Sequence, residues 1–330
     1  MIATTGFFDG VHLGHRLVIE RLVSEAHARG DESLVVTFWP HPRAVLQDGA
    51  RELRLLTSLE EKKALLLGLG VDRVEVVDFT RRFASLTAAE YLRDVLQARF
   101  GVTTLLMGYD NRIGSDRLTA GDLQETAQRL GLELVGAEVW FGGTDVPEPV
   151  ATLGRIRGRG PRLAAGGTEQ SSIAEGSGTS VPQNPVSSTR IRKALSEGDI
   201  DSATSMLGYP YALKGVVVAG NRLGRTLGFP TANMRLYEPL KLVPANGVYA
   251  VEVDVLCSRF RGMTNIGVRP TVGGTFRTVE THILDFNEDI YGLPLQISFL
   301  RRIRDEIRFP SLDALKEQLE KDRQACGFPK

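Results

Sequence analysis

Apolar and polar positions in the first 140 residues follow two alternating patterns. Short apolar-rich runs at Ile2-Ala3-Thr4, Leu34–Phe38, Val74–Phe79, Thr104–Met107 and Glu133–Val139 read as strands, that at Thr104–Met107 as a buried one. Between them lie segments with helix punctuation. Ser58 with Glu61, and Thr87 with Glu90, have the spacing of capping boxes. The first of these helices runs through Leu69 and stops at Gly70; the second is expected to reach about Ala98. Asp122–Leu130 reads as a further helix. Strand and helix in alternation predict a parallel, doubly wound sheet. Ligands of such sheets sit beyond the carboxyl ends of the strands.

The pattern lapses between Phe141 and Val186, where Gly, Ser, Pro and Arg dominate and no cap signal occurs. This stretch reads as a solvated insertion. Its Arg155, Arg157, Arg159 and Arg162 have no aromatic residues among them of the kind that stack on nucleic-acid bases. Order resumes at Ser187-Ser188-Thr189-Arg190-Ile191-Arg192, a helix start with hydroxyls at its cap, ending near Glu197-Gly198. A second helix covers Asp201–Leu207. Past Tyr211 the period changes to that of strands: Lys214–Ala219, Gly247–Val255, Thr278–Phe286 and Leu295–Phe299, with no helix until Ser311–Asp322. A small antiparallel barrel closed by a C-terminal helix is expected. The implied organisation is one domain from 1–140 with 187–208, an insertion at 141–186, and a second domain at 209–330.

The 330 residues suffice for two domains, each with its own core. The formal net charge of zero offers no field for nucleic acid or an anionic membrane. Two cysteines, Cys257 and Cys326, make no disulfide framework, which fits a reducing compartment. No run spans a bilayer and no basic-then-apolar leader is present, so a cytoplasmic location is expected.

Candidate chemistry begins almost at once. Gly6-Phe7-Phe8-Asp9-Gly10-Val11-His12-Leu13-Gly14-His15 carries a strand through a glycine turn into a helix. Glycines admit phosphates close to the backbone, and the helix start offers unpaired N–H groups. His12 and His15 can neutralise charge on phosphoryl oxygens. A second hydroxyl-rich helix start supplies Ser188, Thr189 and Arg192 for a leaving pyrophosphate. In the later half, the glycine-punctuated basic loop holding Gly220, Gly224, Arg225 and Gly228 precedes the turn Pro230-Thr231-Ala232-Asn233. Thr231 and Asn233 are hard oxygen donors suited to Mg²⁺.

Both first-domain strings resemble the signatures of the HxGH adenylyl- and cytidylyltransferases, and the Phe-Asp-Gly-Val-His core resembles the flavin branch. The second string matches Ser-Ser-Thr-x-x-Arg at every position. The loop from Gly220 to Asn233 resembles the riboflavin kinase signature. Asn246-Gly247-Val248-Tyr249, Asn265-Ile266-Gly267, Arg269-Pro270-Thr271 and Glu280–Phe286 continue that match in order. The chain is thereby similar to the prokaryotic bifunctional riboflavin kinase/FMN adenylyltransferases (FAD synthetases). The resemblance implies a Rossmann-like first domain and a Greek-key kinase barrel. It implies riboflavin, FMN, FAD and ATP as substrates and products, with Mg²⁺ as cofactor.

By the same resemblance Gly6 and Phe7 lie near the nucleotide, His41, Pro42 and Asp110 near the flavin, and Arg304 near flavin or phosphate. Glu280 is the expected base. Where family members commonly carry aromatic residues, this chain reads Tyr109-Asp110-Asn111-Arg112-Ile113-Gly114, and Met1 begins inside the first strand. Two other readings stay open at this level. One is a kinase whose first domain serves another acceptor or none; the other is a non-enzymatic flavin-binding module.

Overall fold

Each strand of the first sheet carries apolar side chains on both sides, and the fold covers both. The structure is a computed structural model that describes residues 1–46, 53–108, 113–136, 186–220, 224, 227–271 and 274–326, with backbone alone at 269–271 and 274–276. Strands β1 (Ile2–Thr5), β2 (Ser33–Trp39), β3 (Arg73–Asp78), β4 (Thr104–Met107) and β5 (Glu133–Gly136) form a parallel sheet in the order β3-β2-β1-β4-β5. Ile2, Val35 and Leu106 face helices α1 (Leu13–Arg29) and α3 (Leu59–Gly68), which follows the short α2 (Pro42–Leu46). Ala3, Leu34, Val36 and Leu105 face the other way, onto Tyr91, Leu92, Leu96, Leu123 and Ala127. That second layer comprises α4 (Arg81–Ala84), α5 (Ala88–Glu90), α6 (Ala98–Phe100) and α7 (Ala120–Arg129).

Both capping boxes form. The Ser58 and Thr87 hydroxyls accept from the N–H groups of Glu61 and Glu90, whose carboxylates accept in return from the cap N–H groups. One correction concerns the helix expected to reach Ala98. Between α5 and α6 the chain adopts π-helical geometry at Tyr91–Gln97. Residues 137–185, which include nearly all of the expected insertion, lie outside the described set.

Helices α8 (Ser188–Glu197) and α9 (Ile200–Leu207) lead into a closed antiparallel barrel. Its strands are β6 (Ala212–Val218), β7 (Ala232–Leu236), β8 (Gly247–Val255), β9 (Ser258–Thr271), β10 (Gly274–Ile283) and β11 (Pro294–Arg304). They close in the order β10-β7-β6-β11-β8-β9, followed by helix α10 (Leu312–Cys326). Two of these strands differ from expectation. Ala232 and Asn233, read as a turn, open β7, because Asn233 pairs with Val218 on one side and Glu280 on the other. The long β9 is interrupted by glycines where neighbours press close: a Cβ on Gly262 would lie 2.8 Å from the His282 carbonyl oxygen.

Sheet and barrel are joined by the segment before α3. Leu55 forms a parallel bridge to Lys241: its N–H donates to the Leu240 carbonyl, and its carbonyl accepts from Leu242, both at 2.8 Å. The Lys241 ammonium donates to the Leu56 carbonyl at 2.7 Å and pairs with Glu61. Leu56 packs in one cluster with Ile191, Leu195 and Leu207 of α8 and α9 and with Tyr211, Tyr249 and Phe299 of the barrel.

Lys241 is buried and Glu61 is largely withdrawn from water, so removing one strands the other. Lys241→Met is expected to lower unfolding stability by about 3–5 kcal/mol, whereas adding Glu61→Gln, which keeps the cap, restores most of it. A double-mutant cycle in urea measures this; additive losses would show that the pair does not join the two lobes.

Candidate active site

The turn after β1 sits where the sheet order reverses, with β2 and β3 to one side and β4 and β5 to the other. Such a switch point opens a crevice at the carboxyl ends of the strands. The loop that fills it is strained. Phe8, Gly10 and Val11 have φ of 51°, 83° and 36°, and left-handed geometry is costly for a β-branched residue.

Asp9 holds this loop. Its carboxylate, 3% exposed, accepts from Leu56 N–H at 3.0 and 3.1 Å, Thr57 N–H at 3.0 Å and Thr57 Oγ1 at 3.2 Å. Arg192 reaches the same carboxylate at 2.5 Å, while its Nε donates to the Arg54 carbonyl at 2.8 Å. Ser188 Oγ donates to the Asp9 carbonyl at 2.9 Å. The two motifs, some 180 residues apart in sequence, therefore meet on one residue. Thr189 lies exposed in the first turn of α8.

His12 caps α1 and is buried; its Nδ1 accepts from the His15 N–H at 3.3 Å, so the neutral ring carries its hydrogen on Nε2. The two imidazoles stack at 3.6 Å. Gly14 makes room for them, since a Cβ there would lie 3.3 Å from the His12 ring. Burial, then His12 and Lys62, holds His15 well below the ordinary value of 6.5, and its Nδ1 is buried with no hydrogen-bond partner among the described residues. Gly6 continues the β1 ladder by donating to Val36, and a Cβ on it would lie 2.9 Å from the Phe8 ring. The Phe7 ring lies between His41, at 4.0 Å, and the Lys62 ammonium, at 3.9 Å.

His41 follows β2, and its Nδ1 accepts from Arg43 N–H at 3.0 Å just after Pro42 begins α2. Asp110 and Arg225 fall outside the described residues. Sequence reasoning did not single out Asp9, Thr57 or Lys62. For Lys62 a signal existed: it lies one helical turn from Leu66, the other buried residue of α3.

In the barrel, Glu280 stands directly opposite Asn233 on β7 and Asn265 on β9. Directly paired residues share a face. The adjacent Thr281 points inward, where its hydroxyl meets Thr264 at 2.8 Å, so Glu280 and Asn233 face outward together. Gly220 closes on the same spot: a Cβ there would fall 2.2 Å from Asn233 Nδ2. Glu280 and Asn233 bring side-chain oxygens to one face, the hard donor type that suits a small divalent cation. No cluster of three His, Cys, Asp or Glu suited to a metal occurs among the described residues.

Thr231 borders a cleft of about 430 Å³ lined by Val217, Ile283, Phe286, Ile290 and Tyr291. His282 Nδ1 donates to the Pro230 carbonyl at 2.8 Å and fixes that turn to β10. Gly224 accepts from Leu227 and Phe229 N–H groups, and Gly228, at φ 83°, turns the loop back. Arg304 is committed to Asp322 of α10, through Nε at 2.9 Å and Nη2 at 2.7 Å, and to the Asp305 carbonyl at 2.9 Å.

Comparison with known proteins finds two family profiles in the chain. Residues 1–141 match the FAD synthetase family profile and residues 207–327 that of riboflavin kinase. The bifunctional riboflavin kinase/FMN adenylyltransferase of Escherichia coli K12 is 38% identical over 325 residues, covering 97% of this chain and 90% of the relative. Its counterpart in Listeria monocytogenes is 35% identical over 324 residues (98% and 90%), and that in Bacillus subtilis 33% over 326 (98% and 90%). A crystal structure described as a macrolide-efflux protein from Streptococcus pneumoniae superposes with a TM-score of 0.79 at 30% identity, covering 98% of this chain and 93% of the other. No helix among the described residues here is long and apolar enough to cross a membrane.

Burial lowers His41 to about 4, opposed by Asp9 and aided by Arg192, Arg43 and Lys62. The unfolded chain, with histidine near 6.5, then takes up protons first as pH falls. Stability is full above about pH 6.5 and drains away towards about pH 4. Melting temperatures across that window are expected to fall less steeply for His41→Gln than for the wild type; parallel curves would contradict the assignment.

Proposed function

Since this chain belongs to the bifunctional riboflavin kinase/FMN adenylyltransferase family, we propose the following division of its residues between the two reactions. Riboflavin and ATP give FMN and ADP; FMN and ATP then give FAD and pyrophosphate. We assign adenylyl transfer to residues 1–140 with 187–208, riboflavin phosphorylation to 209–330, and no catalytic part to 141–186.

In the first reaction the FMN phosphate attacks the α-phosphorus of ATP and pyrophosphate leaves. His12 and His15 donate to the oxygens on which charge builds, beside the loop after Gly6. Ser188 and Thr189, at the positive end of α8, receive the pyrophosphate. Arg192 adds its outer guanidinium N–H groups while Asp9 fixes its orientation. Phe7, His41, Pro42 and Asp110 border the flavin and nucleotide. The observation that carries this assignment is the meeting of both motifs on Asp9.

In the second domain the cleft beside Thr231 takes the adenine of ATP. The loop through Gly220, Gly224, Arg225 and Gly228 folds over the phosphates. Thr231 and Asn233 would hold Mg²⁺, which offsets the phosphate charge. Glu280 accepts the proton of the riboflavin 5′-hydroxyl as its oxygen attacks the γ-phosphorus. Arg304 serves the flavin side indirectly, by pinning α10 to β11. The scarcity of cysteine supports a cytoplasmic location, and the zero net charge supports a reading without a nucleic-acid partner.

Two variants test the division. His12→Ala with His15→Ala is expected to stop FAD formation and leave FMN formation near normal. Glu280→Gln is expected to lower FMN turnover by roughly 10²–10⁴ while supplied FMN is still converted to FAD. Product chromatography reads both; undiminished FAD from the histidine variant, or normal kinase turnover in Glu280→Gln, would refute the respective site.

A further inference from the structure

A lysine inside a protein requires an explanation, because an ammonium withdrawn from water costs several kcal/mol unless its hydrogens are bonded. Lys62 is 1% exposed. Its three hydrogens have three oxygens to meet: the Phe7 carbonyl at 2.9 Å, Thr37 Oγ1 at 3.0 Å and the Phe38 carbonyl at 3.4 Å. Thr37 Oγ1 also donates to the Phe7 carbonyl at 3.2 Å. These atoms belong to the loop after β1 and to the carboxyl end of β2, the two walls of the first site. If packing alone were needed here, a methionine would fill the space without the desolvation penalty. Neither signature string contains this residue.

We propose that Lys62 is a positioning residue for adenylyl transfer: its ammonium ties the Phe7 carbonyl to the end of β2 and holds the strained loop from Phe7 to Val11 in the shape that receives the triphosphate. The proposal rests on the assignment of adenylyl transfer to this site. A loop with three left-handed residues in four positions persists only when its surroundings over-determine it. Asp9 fixes its middle, and the Tyr209 hydroxyl, donating to the Gly10 carbonyl at 2.5 Å, fixes its far side. Lys62 fixes its entrance. Its charge also helps burial keep His15 and His41 neutral, so each ring offers a hydrogen without carrying a charge of its own.

The charge on Lys62 gives a signature that a merely structural residue would lack. Burial lowers the ammonium to about 8, with Asp9 opposing. The charged or titratable groups facing it are Asp9 from the loop, His15 from α1 and His41 from the turn after β2. On its own helix, Glu61 is engaged by Lys241. His41 and His15 are already neutral there, and Lys62 is the buried group beside them that loses its charge in alkaline solution. Above about pH 8 the neutral amine has two hydrogens for three oxygens, and one contact is lost.

The test is the pH dependence of kcat for FAD formation from supplied FMN and ATP, with FMN formation from riboflavin as the reference within the same chain. Wild-type FAD turnover is expected to fall several-fold between about pH 7 and about pH 9, without a matching fall in FMN formation. Lys62→Arg, which stays charged, is expected to flatten the profile; Lys62→Met is expected to lower FAD turnover at least about tenfold at every pH. A flat wild-type profile overturns the proposal even where a variant does not fold, and so does a folded Lys62→Met enzyme with normal FAD turnover. Wild-type protein that makes no FAD from FMN at any pH would instead remove the assignment on which the proposal rests.

Discussion

The buried carboxylate of Asp9 is the constraint on which the first site depends. An isolated charge there would be intolerable; two N–H donors, one hydroxyl and one guanidinium make it stable. Asp9 and those partners come from three distant parts of the chain. The carboxylate joins the turn after β1, the segment at Leu56 and Thr57, and helix α8, and the packing of Leu56 against Ile191 and Leu195 adds to that junction. Convergence gives the site its form. The histidine pair is set at the mouth of α1, and the hydroxyl-bearing start of α8 is drawn beside it.

The same segment that feeds Asp9 also bonds to the barrel. Leu55 joins Lys241 as a bridge, and Glu61 pairs with Lys241 while its neighbour Lys62 reaches the loop after β1. One turn of α3 thus has contacts with both lobes. Helices α8 and α9 behave likewise: Ser188 in the first turn of α8 bonds to the Asp9 carbonyl, and their apolar faces belong to the barrel core. The sheet and the barrel thus share a framework. In the barrel, strand pairing brings Asn233 and Glu280 level across β7 and β10.

Local signals in the sequence were legible where a few adjacent residues decide the outcome. Both capping boxes, the strands Thr104–Met107 and Gly247–Val255, and the cap at Ser187 appear where their spacing places them. The parallel sheet followed by a closed barrel was also readable, from the change in period. Strands β7 and β9 were not. The first begins inside a string that looks like a turn, and the second carries glycines and arginines that only the curvature of a barrel explains. The π-helical stretch at Tyr91–Gln97 has no sequence cue, since its hydrogen-bond step is set by packing. The roles of Asp9 and Lys62 depend on partners 24 to 183 residues away, which spacing within a motif cannot reveal.

The central claim is that one chain carries riboflavin to FAD through FMN, using two separate sites. It is tested most directly by supplying the purified protein with riboflavin, ATP and Mg²⁺ and following the fluorescent products by chromatography. The account predicts FMN first and FAD after it, with ADP released for each FMN made and pyrophosphate for each FAD. FMN that accumulates without any FAD, or the absence of both products, would contradict it.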